Sequence, residues 1–450
     1  MVGSTFFATV QTKKQIESRE LKGIGEMGAV KKAALYYHNY GLKATLRKIL
    51  LVLKNRGIRN TARQLIQDPK IDLFNFYKYI IDDSKINFVK EDYIRLKDGP
   101  IYLNWIIPEM GMGSGGHINI FRFVTKLQKR GIKNRIYTTY PINIQTDGEL
   151  RAFLRANYCL DPDEIELYCG TEKIAFAHGT VATSWQTAYF VRKFDNTLSK
   201  FYFVQDYEPF FYAVGSEYIF AENTYKFGFY GITAGDWLKE KLHNKYGMKT
   251  ASVGFSYDRD IYRPIQKRDN VKRIFFYARP VTARRAFELG LLALIELYHR
   301  MPDIEVIFAG WDIGNYDIPF IHLNGGMIKL EELSDLYGQC DMCLVLSSTN
   351  LSLLPLEVMA SNSVVVSNRG ENNEWLLNLD NAILTDFDPL DIARKMEYYL
   401  VNSDELAKIR ARGKAFAEST DWEVEAKKAY DIIVREIEFS TEQFWKESDA

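Results

Sequence analysis

The chain has 450 residues, 47% hydrophobic and 26% charged, with 58 basic and 58 acidic side chains, which is a globular composition too long for one ordinary core. Its longest apolar run, residues 49–53, falls far short of the roughly 20 residues a membrane-spanning helix needs. No signal peptide is read at the start, where residues 1–10 lack a basic cluster and run into Gln11, Thr12, Lys13 and Lys14, so the expected location is cytoplasmic.

Neutrality overall hides an uneven spread. Residues 1–66 carry thirteen Lys or Arg against Glu17, Glu20 and Glu26, a net of +10, which leaves −10 on the remainder. Within this arm Leu42, Leu46, Ile49, Leu50 and Leu53 recur at helical steps among Lys43, Arg47, Lys48 and Lys54. Such an amphipathic helix suits an anionic membrane surface and equally suits packing on the body of its own chain; both readings stay open. Residues 1–98 are taken together as a basic, helical N-terminal extension.

From residue 99 the pattern changes to strands alternating with helices. Strands are predicted at 101–107, 134–139, 173–177, 200–204 and 229–233, with a helix at 117–129. The alternation repeats with strands at 273–278, 305–309, 342–346 and 364–367 and helices at 286–301, 330–337 and 355–360. A polar, Pro264-containing stretch at 262–270 separates the halves. The reading is α/β: two Rossmann-like, doubly wound domains, at 99–263 and 264–420, facing a cleft at the carboxyl ends of their strands. A helical stretch, 422–439, lies in a final segment, 421–450.

Four motifs carry the chemistry. Gly111-Met-Gly113-Ser114-Gly115-Gly116-His117 follows a strand and opens a helix, a place where bare backbone N–H groups meet a phosphate. Its glycines also fit a dinucleotide fingerprint, but the second strand ends Thr138-Thr139-Tyr140-Pro141 without the acid that would hold an adenosine ribose, which counts against a dehydrogenase. Phe203-Val204-Gln205-Asp206-Tyr207-Glu208-Pro209 lies past a strand end; Asp206 and Glu208 among aromatics suit a sugar, or simply cap the next helix. Arg279, Arg284 and Arg285 follow the first strand of the second half, where planar guanidinium forks suit a leaving diphosphate. Glu357 enters a helix after Ser347-Ser348-Thr349 and Leu354-Pro355, where the helix dipole favours a carboxylate able to accept both hydroxyls of a ribose. The CxxC pair Cys340 and Cys343 has no second pair and is read as two buried small residues rather than a metal or redox site.

In their order, Gly113-Ser-Gly-Gly-His117, Phe203-Val-Gln-Asp-Tyr-Glu-Pro209, Tyr277-Ala-Arg-Pro280, Pro355-Leu-Glu357 and Ser367-Asn-Arg-Gly-Glu-Asn372 resemble the retaining GT-B glycosyltransferases of the glycogen-synthase-like family 4. Among these they are most similar to bacterial rhamnosyltransferases that build S-layer and other surface polysaccharides. The resemblance runs from about residue 100 onward. It implies hexosyl transfer from a nucleotide sugar, dTDP-rhamnose, to a glycan or lipid-linked glycan acceptor, with no cofactor, no metal and no nucleic acid. Arg279 would grip the diphosphate and Glu357 the ribose. Gly113, Gly115, Gly116, Arg284, Arg285 and Leu354 would complete the donor site, and His117, Asp206 and Glu208 would lie near the acceptor. Asp206 and Arg279 are the expected catalytic pair. Thr349 stands where many such enzymes have a second glutamate, and the usual lysine after the phosphate arginine is missing, leaving Arg284 or Arg285 to replace it. The last helix is implied to cross back onto the first domain. Attachment to the inner face of a membrane would run through residues 1–66. The competing readings are an NAD-dependent or nucleotide-sugar oxidoreductase and a non-catalytic carbohydrate-binding relative.

Overall fold

A computed structural model describes residues 73–448 except 112, 113, 140 and 159. The basic arm 1–66 with its amphipathic stretch, Gly113 and Cys159 therefore lie outside the described residues. Residues from 79 onward form one compact unit.

Two helices, α1 (Leu73–Ile81) and α2 (Lys90–Leu96), open the described chain. The first sheet then builds through β1 (Tyr102–Pro108), α3 (Gly115–Lys129), β2 (Lys133–Thr139), α4 (Asp147–Asn157), β3 (Glu166–Cys169) and β4 (Ala177–Ala182). It continues through α5 (Trp185–Lys193), β5 (Thr197–Val204), α6 (Ser216–Thr224), β6 (Tyr230–Ala234), α7 (Asp236–Tyr246) and β7 (Thr250–Val253). The strand order is β3-β2-β1-β4-β5-β6-β7. Every pairing in it is parallel, and helices join the strands in most of the crossovers.

The second sheet repeats the plan with β8 (Arg273–Tyr277), α8 (Phe287–Arg300), β9 (Glu305–Ala309), β10 (His322–Gly326), α9 (Leu330–Gly338) and β11 (Met342–Leu344). After these come α10 (Leu354–Ala360), β12 (Val364–Asn368), α11 (Glu371–Glu374), β13 (Ile383–Thr385), α12 (Pro389–Val401) and α13 (Ser403–Ser419). Its order is β10-β9-β8-β11-β12-β13, again parallel throughout. Ile274, Phe276, Leu344 and Val366 from adjacent strands share one core with Phe287, Leu294 and Leu297 of α8. Strands covered on both faces must be apolar along their length, which is why β8 and β12 read as continuous runs.

The order reverses between β1 and β4 in the first sheet and between β8 and β11 in the second. Ligands of doubly wound sheets bind outside the carboxyl ends of strands at such reversals. The glycine motif follows β1, the arginines follow β8, and Ser347 to Asn350 follow β11.

The final helix, α14 (Trp422–Ser448), packs on α3 and the first sheet. Glu423 pairs with Lys126 and Arg130; the Trp422 ring lies 4.3 Å from the Arg122 guanidinium, and Ser440 meets Ser199. Residues 79–98, assigned by composition to the extension, also lie against this sheet. Ile86 bridges Phe194, Val89 N–H donates to Asn196, and the Tyr93 ring meets Phe176, Phe444 and Trp445.

Two further expectations need correction. Residues 173–176 are loop, and the strand placed there begins only at Ala177. The strands β3 and β7 in the first sheet, and β10 and β13 in the second, had no counterpart in the reading of the sequence. Their brevity, or their polar and glycine content, hides them from an apolar-run criterion.

Candidate active site

The loop after β11 is the centre of the site. Ser347, Thr349 and Asn350 are buried, and the loop's carbonyls have no strand beside them, so side-chain amides supply the donors that burial demands. Asn368 exchanges two bonds with Ser347: its Nδ2 donates to the carbonyl and its Oδ1 accepts from the N–H, both at 3.0 Å. Asn372 donates to the carbonyls of Ser347 at 3.1 Å and Thr349 at 2.6 Å. Asn373 ties the strand end at Asn368 into the same cluster.

Across the cleft, Asp206 stands just past the end of β5 and is 9% exposed. Its carboxylate accepts from the Thr349 hydroxyl at 2.8 Å, from the Asn350 N–H at 3.0 Å and from the Tyr207 N–H at 2.8 Å. Burial raises the Asp206 pKa, while these bonds and the nearby charges of Arg285 and Arg284 pull against it. Asn350 also donates to the Gln205 carbonyl at 2.8 Å, and the Gln205 amide donates to the Gly116 carbonyl at 3.0 Å. One chain of bonds therefore links the β11 loop, the Asp206 turn and the glycine motif. The Trp375 indole donates to Asn350 at 3.1 Å, and its ring lies on Gly235, where a Cβ would come within 2.4 Å of it. Gly235 has φ +84°, so both its conformation and its bareness are used here.

The three arginines sit differently. Arg279 is half-buried and weakly held, with Nη1 at 3.5 Å from the Gly310 carbonyl and its guanidinium 5.9 Å from the Trp311 ring. Arg284 lies 4.2 Å over the Phe211 ring of the opposite domain, and its Nε is buried without a partner. Arg285 donates to Ser347 Oγ at 2.8 Å and to the Asn350 carbonyl at 3.1 Å; burial lowers its pKa against the pull of Asp206.

Glu357, in the first turn of α10, belongs to a second group. Burial pushes its pKa up to about 7, a Tyr262 hydrogen bond and Arg122 pull it down, and Asp258 pushes it further up. Arg122 itself pairs with Asp258 at 2.6 Å. Glu208 faces the interior of the first domain: it accepts from the Trp185 N–H at 2.8 Å and the Tyr202 hydroxyl at 2.6 Å, and burial raises it to about 7. His117 meets Ser114 Oγ through Nδ1 at 2.7 Å and lies against the Pro108 backbone. Burial drops its pKa to about 4, so the imidazole is neutral at pH 7. Gly115 and Gly116 lie exposed at the start of α3, whose N-cap Ser114 makes no capping bond. Leu354 is buried at the start of α10.

Of the residues singled out by sequence, contacts join Asp206, Arg284, Arg285 and Gly116 around the β11 loop. Glu357 has its own partners, Tyr262, Asp258 and Arg122, and both Glu208 oxygens are occupied inside the first domain. Gln205, Asn350 and Asn372 stand in or beside motifs quoted from the sequence but were given no role there, and Asn373 and Trp375 were not singled out; the run of asparagines at 368, 372 and 373 was the available signal. Cys340 and Cys343 are buried and free, with Sγ atoms near the Leu336 carbonyl and Ser363 Oγ. Among the described residues no group of three His, Cys, Asp or Glu is placed to hold a metal, and no helix is long and apolar enough to cross a membrane.

Two parallel, doubly wound domains facing one cleft make this a GT-B fold, the architecture of a large class of sugar-transferring enzymes. Within it, residues 272–397 match the family described as WsaF, C-terminal domain. The chain is 32% identical over 331 residues to the O-antigen biosynthesis protein RfbC of Myxococcus xanthus, covering 71% of this chain and 26% of that protein. It thus spans about a quarter of the length of the curated relative it matches. Among solved structures, sucrose-phosphate synthase from Thermosynechococcus elongatus superposes with a TM-score of 0.58 at 11% identity, over 74% of this chain and 98% of that one. Anabaena HepE in complex with UDP and glucose does so with a TM-score of 0.57 at 11% identity, over 74% and 99%. At such identities the likeness is one of fold.

Proposed function

We propose that this chain is a nucleotide-sugar-dependent glycosyltransferase that adds a hexose to a bacterial surface glycan. The observation that carries the reading is the pair of guanidinium groups, Arg279 and Arg284, at the carboxyl edge of the second sheet, whose β11 loop is bonded through Gln205 to the start of α3. Arg279, weakly tethered, is free to turn onto a diphosphate, and Arg284 brings an unpartnered N–H. Arg285 stays behind as the brace of the Ser347 to Asn350 loop. Glu357 takes the nucleotide ribose. Gly113, Gly115 and Gly116 let a phosphate approach backbone N–H groups, and Leu354 walls the donor at the start of α10.

Charge stabilisation and positioning then do the work. As the glycosidic bond breaks, the arginines hold the charge left on the diphosphate. A front-face substitution, with a leaving phosphate oxygen taking the acceptor proton, retains the anomeric configuration and calls for no separate base. Asp206 fixes Thr349 and Asn350, and so shapes the wall beside the transferred sugar. Neutral His117, at the start of α3, lies toward the acceptor side.

Thr349 in place of an acid, together with the resemblance to surface-polysaccharide rhamnosyltransferases, favours dTDP-rhamnose as donor. The name of the M. xanthus relative supports polymer assembly, and the UDP and glucose of the HepE complex support a nucleotide sugar in this fold. We further propose that residues 1–66 bring the enzyme to an anionic membrane surface carrying a lipid-linked acceptor. Isothermal titration against UDP, GDP and dTDP sugars tests the donor: dTDP-rhamnose should bind most tightly, and absence of heat with every nucleotide sugar rejects the transferase reading.

A further inference from the structure

Beside the cleft, the first domain has a recess of about 460 Å³ lined by Tyr207, Phe210, Tyr218, Lys241, Asn244 and Lys245. Its size is that of a small-ligand site. It adjoins the donor cleft on two sides. Lys241 pairs with Glu371 of the second domain at 2.5 Å, and Phe211, next to the Phe210 of the recess, lies against Arg284.

The lining has a definite chemistry. Phe210 keeps 44% of its surface exposed although its ring packs edge-on against Tyr207 at 4.6 Å. Tyr207, 1% exposed, lies beneath Phe210 and is held by stacking on Tyr225 and by its hydroxyl against Tyr246, so the exposed Phe210 ring rests on a rigid support before any ligand arrives. Beside Phe210 stand two ammonium groups: Lys241, 5.7 Å from its ring and paired with Glu371, and Lys245, paired with Glu222 at 2.7 Å, each with a further N–H to donate. Asn244 adds an exposed amide at the rim. The exposed Phe210 ring and the hydrogen-bond donors beside it match a pyranose, whose C–H face is apolar and whose edge carries acceptor oxygens.

We infer that this recess is a saccharide subsite that holds a residue of the acceptor glycan while its end reaches the donor cleft. The inference rests on the transferase reading for the word acceptor, and on the recess alone for the word saccharide.

Saturation-transfer NMR on the full chain, using the methyl α-glycosides of L-rhamnose, D-glucose and D-mannose as probes, tests it. At least one glycoside should give signals that fall roughly fivefold in a Phe210→Ala/Asn244→Ala variant, the scale of losing one aromatic contact. Phe210→Trp should restore them, and dTDP binding should be unchanged in both variants. Absence of signal from every glycoside, or signals indifferent to the double substitution, overturns the subsite. Glycoside binding that depends on Phe210 in a protein that binds no nucleotide supports the subsite and overturns the transferase reading instead.

Discussion

Thr349 donates its hydroxyl across the cleft to the Asp206 carboxylate at 2.8 Å, a bond between the end of one sheet and the end of the other. Thr349→Val leaves a buried carboxylate oxygen without its donor and should cost about 2 kcal/mol in urea unfolding. Asp206→Asn should cost a similar amount. The double variant should lose clearly less than the total of the two, because both changes break one contact. Strict additivity would show that the bond does not form in solution.

The arginines should separate by role. Arg279→Ala is expected to weaken donor binding about tenfold, the loss of one charge-assisted contact to phosphate, with an unaltered unfolding midpoint. Arg285→Ala should lower the unfolding midpoint, since it strips the brace from Ser347 and Asn350. Replacing Arg284 and Arg285 together should raise the donor KM sharply; unchanged kinetics would reject a donor role for the pair.

Glu208 and Glu357 both lie near 7, above the usual 4.5, because of burial. The folded chain therefore keeps protons that the unfolded chain has released, so this part of its stability is greatest below pH 4.5 and is lost as pH rises through 7. In Glu208→Gln the amide oxygen can still accept from Trp185 while its nitrogen donates to Tyr202, and the decline should flatten; urea midpoints at about pH 5 and about pH 8 measure it. Donor affinity should run the other way. An ionised Glu357 accepts ribose hydroxyls best, so binding should strengthen roughly tenfold between about pH 6 and about pH 8, and Glu357→Gln should abolish the trend.

Deleting residues 1–66, the +10 arm, should move the protein from the membrane fraction to the soluble fraction of fractionated cells. It should also abolish sedimentation with vesicles containing anionic lipid. If the intact chain is already wholly soluble, the arm has another task.

The sequence disclosed the alternation of elements because central strands such as Arg273–Tyr277 and Val364–Asn368 carry unbroken apolar runs, residues 274–277 and 364–366. It hid Ala177–Ala182, whose small residues are chosen by neighbours rather than by strand propensity: a Cβ on Gly179 would lie 2.7 Å from Leu103 and 2.8 Å from Phe201. In the site, glycines and arginines announce themselves by chemistry. The partnership of Asp206 with Thr349 spans 143 residues and leaves no periodic trace. Glu208 shows the converse, since two residues from Asp206 in the chain its carboxylate turns inward, a choice made by the Trp185 and Tyr202 donors and not by local pattern.

Residues 422–448 are translated after the whole second sheet, yet they lie against β5, β7 and α3 of the first. During synthesis the early half must therefore wait, with part of its apolar surface open, while the later half completes itself from neighbouring segments. Such long-range closure is slow and exposes the nascent chain to self-association. Lesions in this last helix should accordingly appear as lost yield from expression before they appear as lost catalysis.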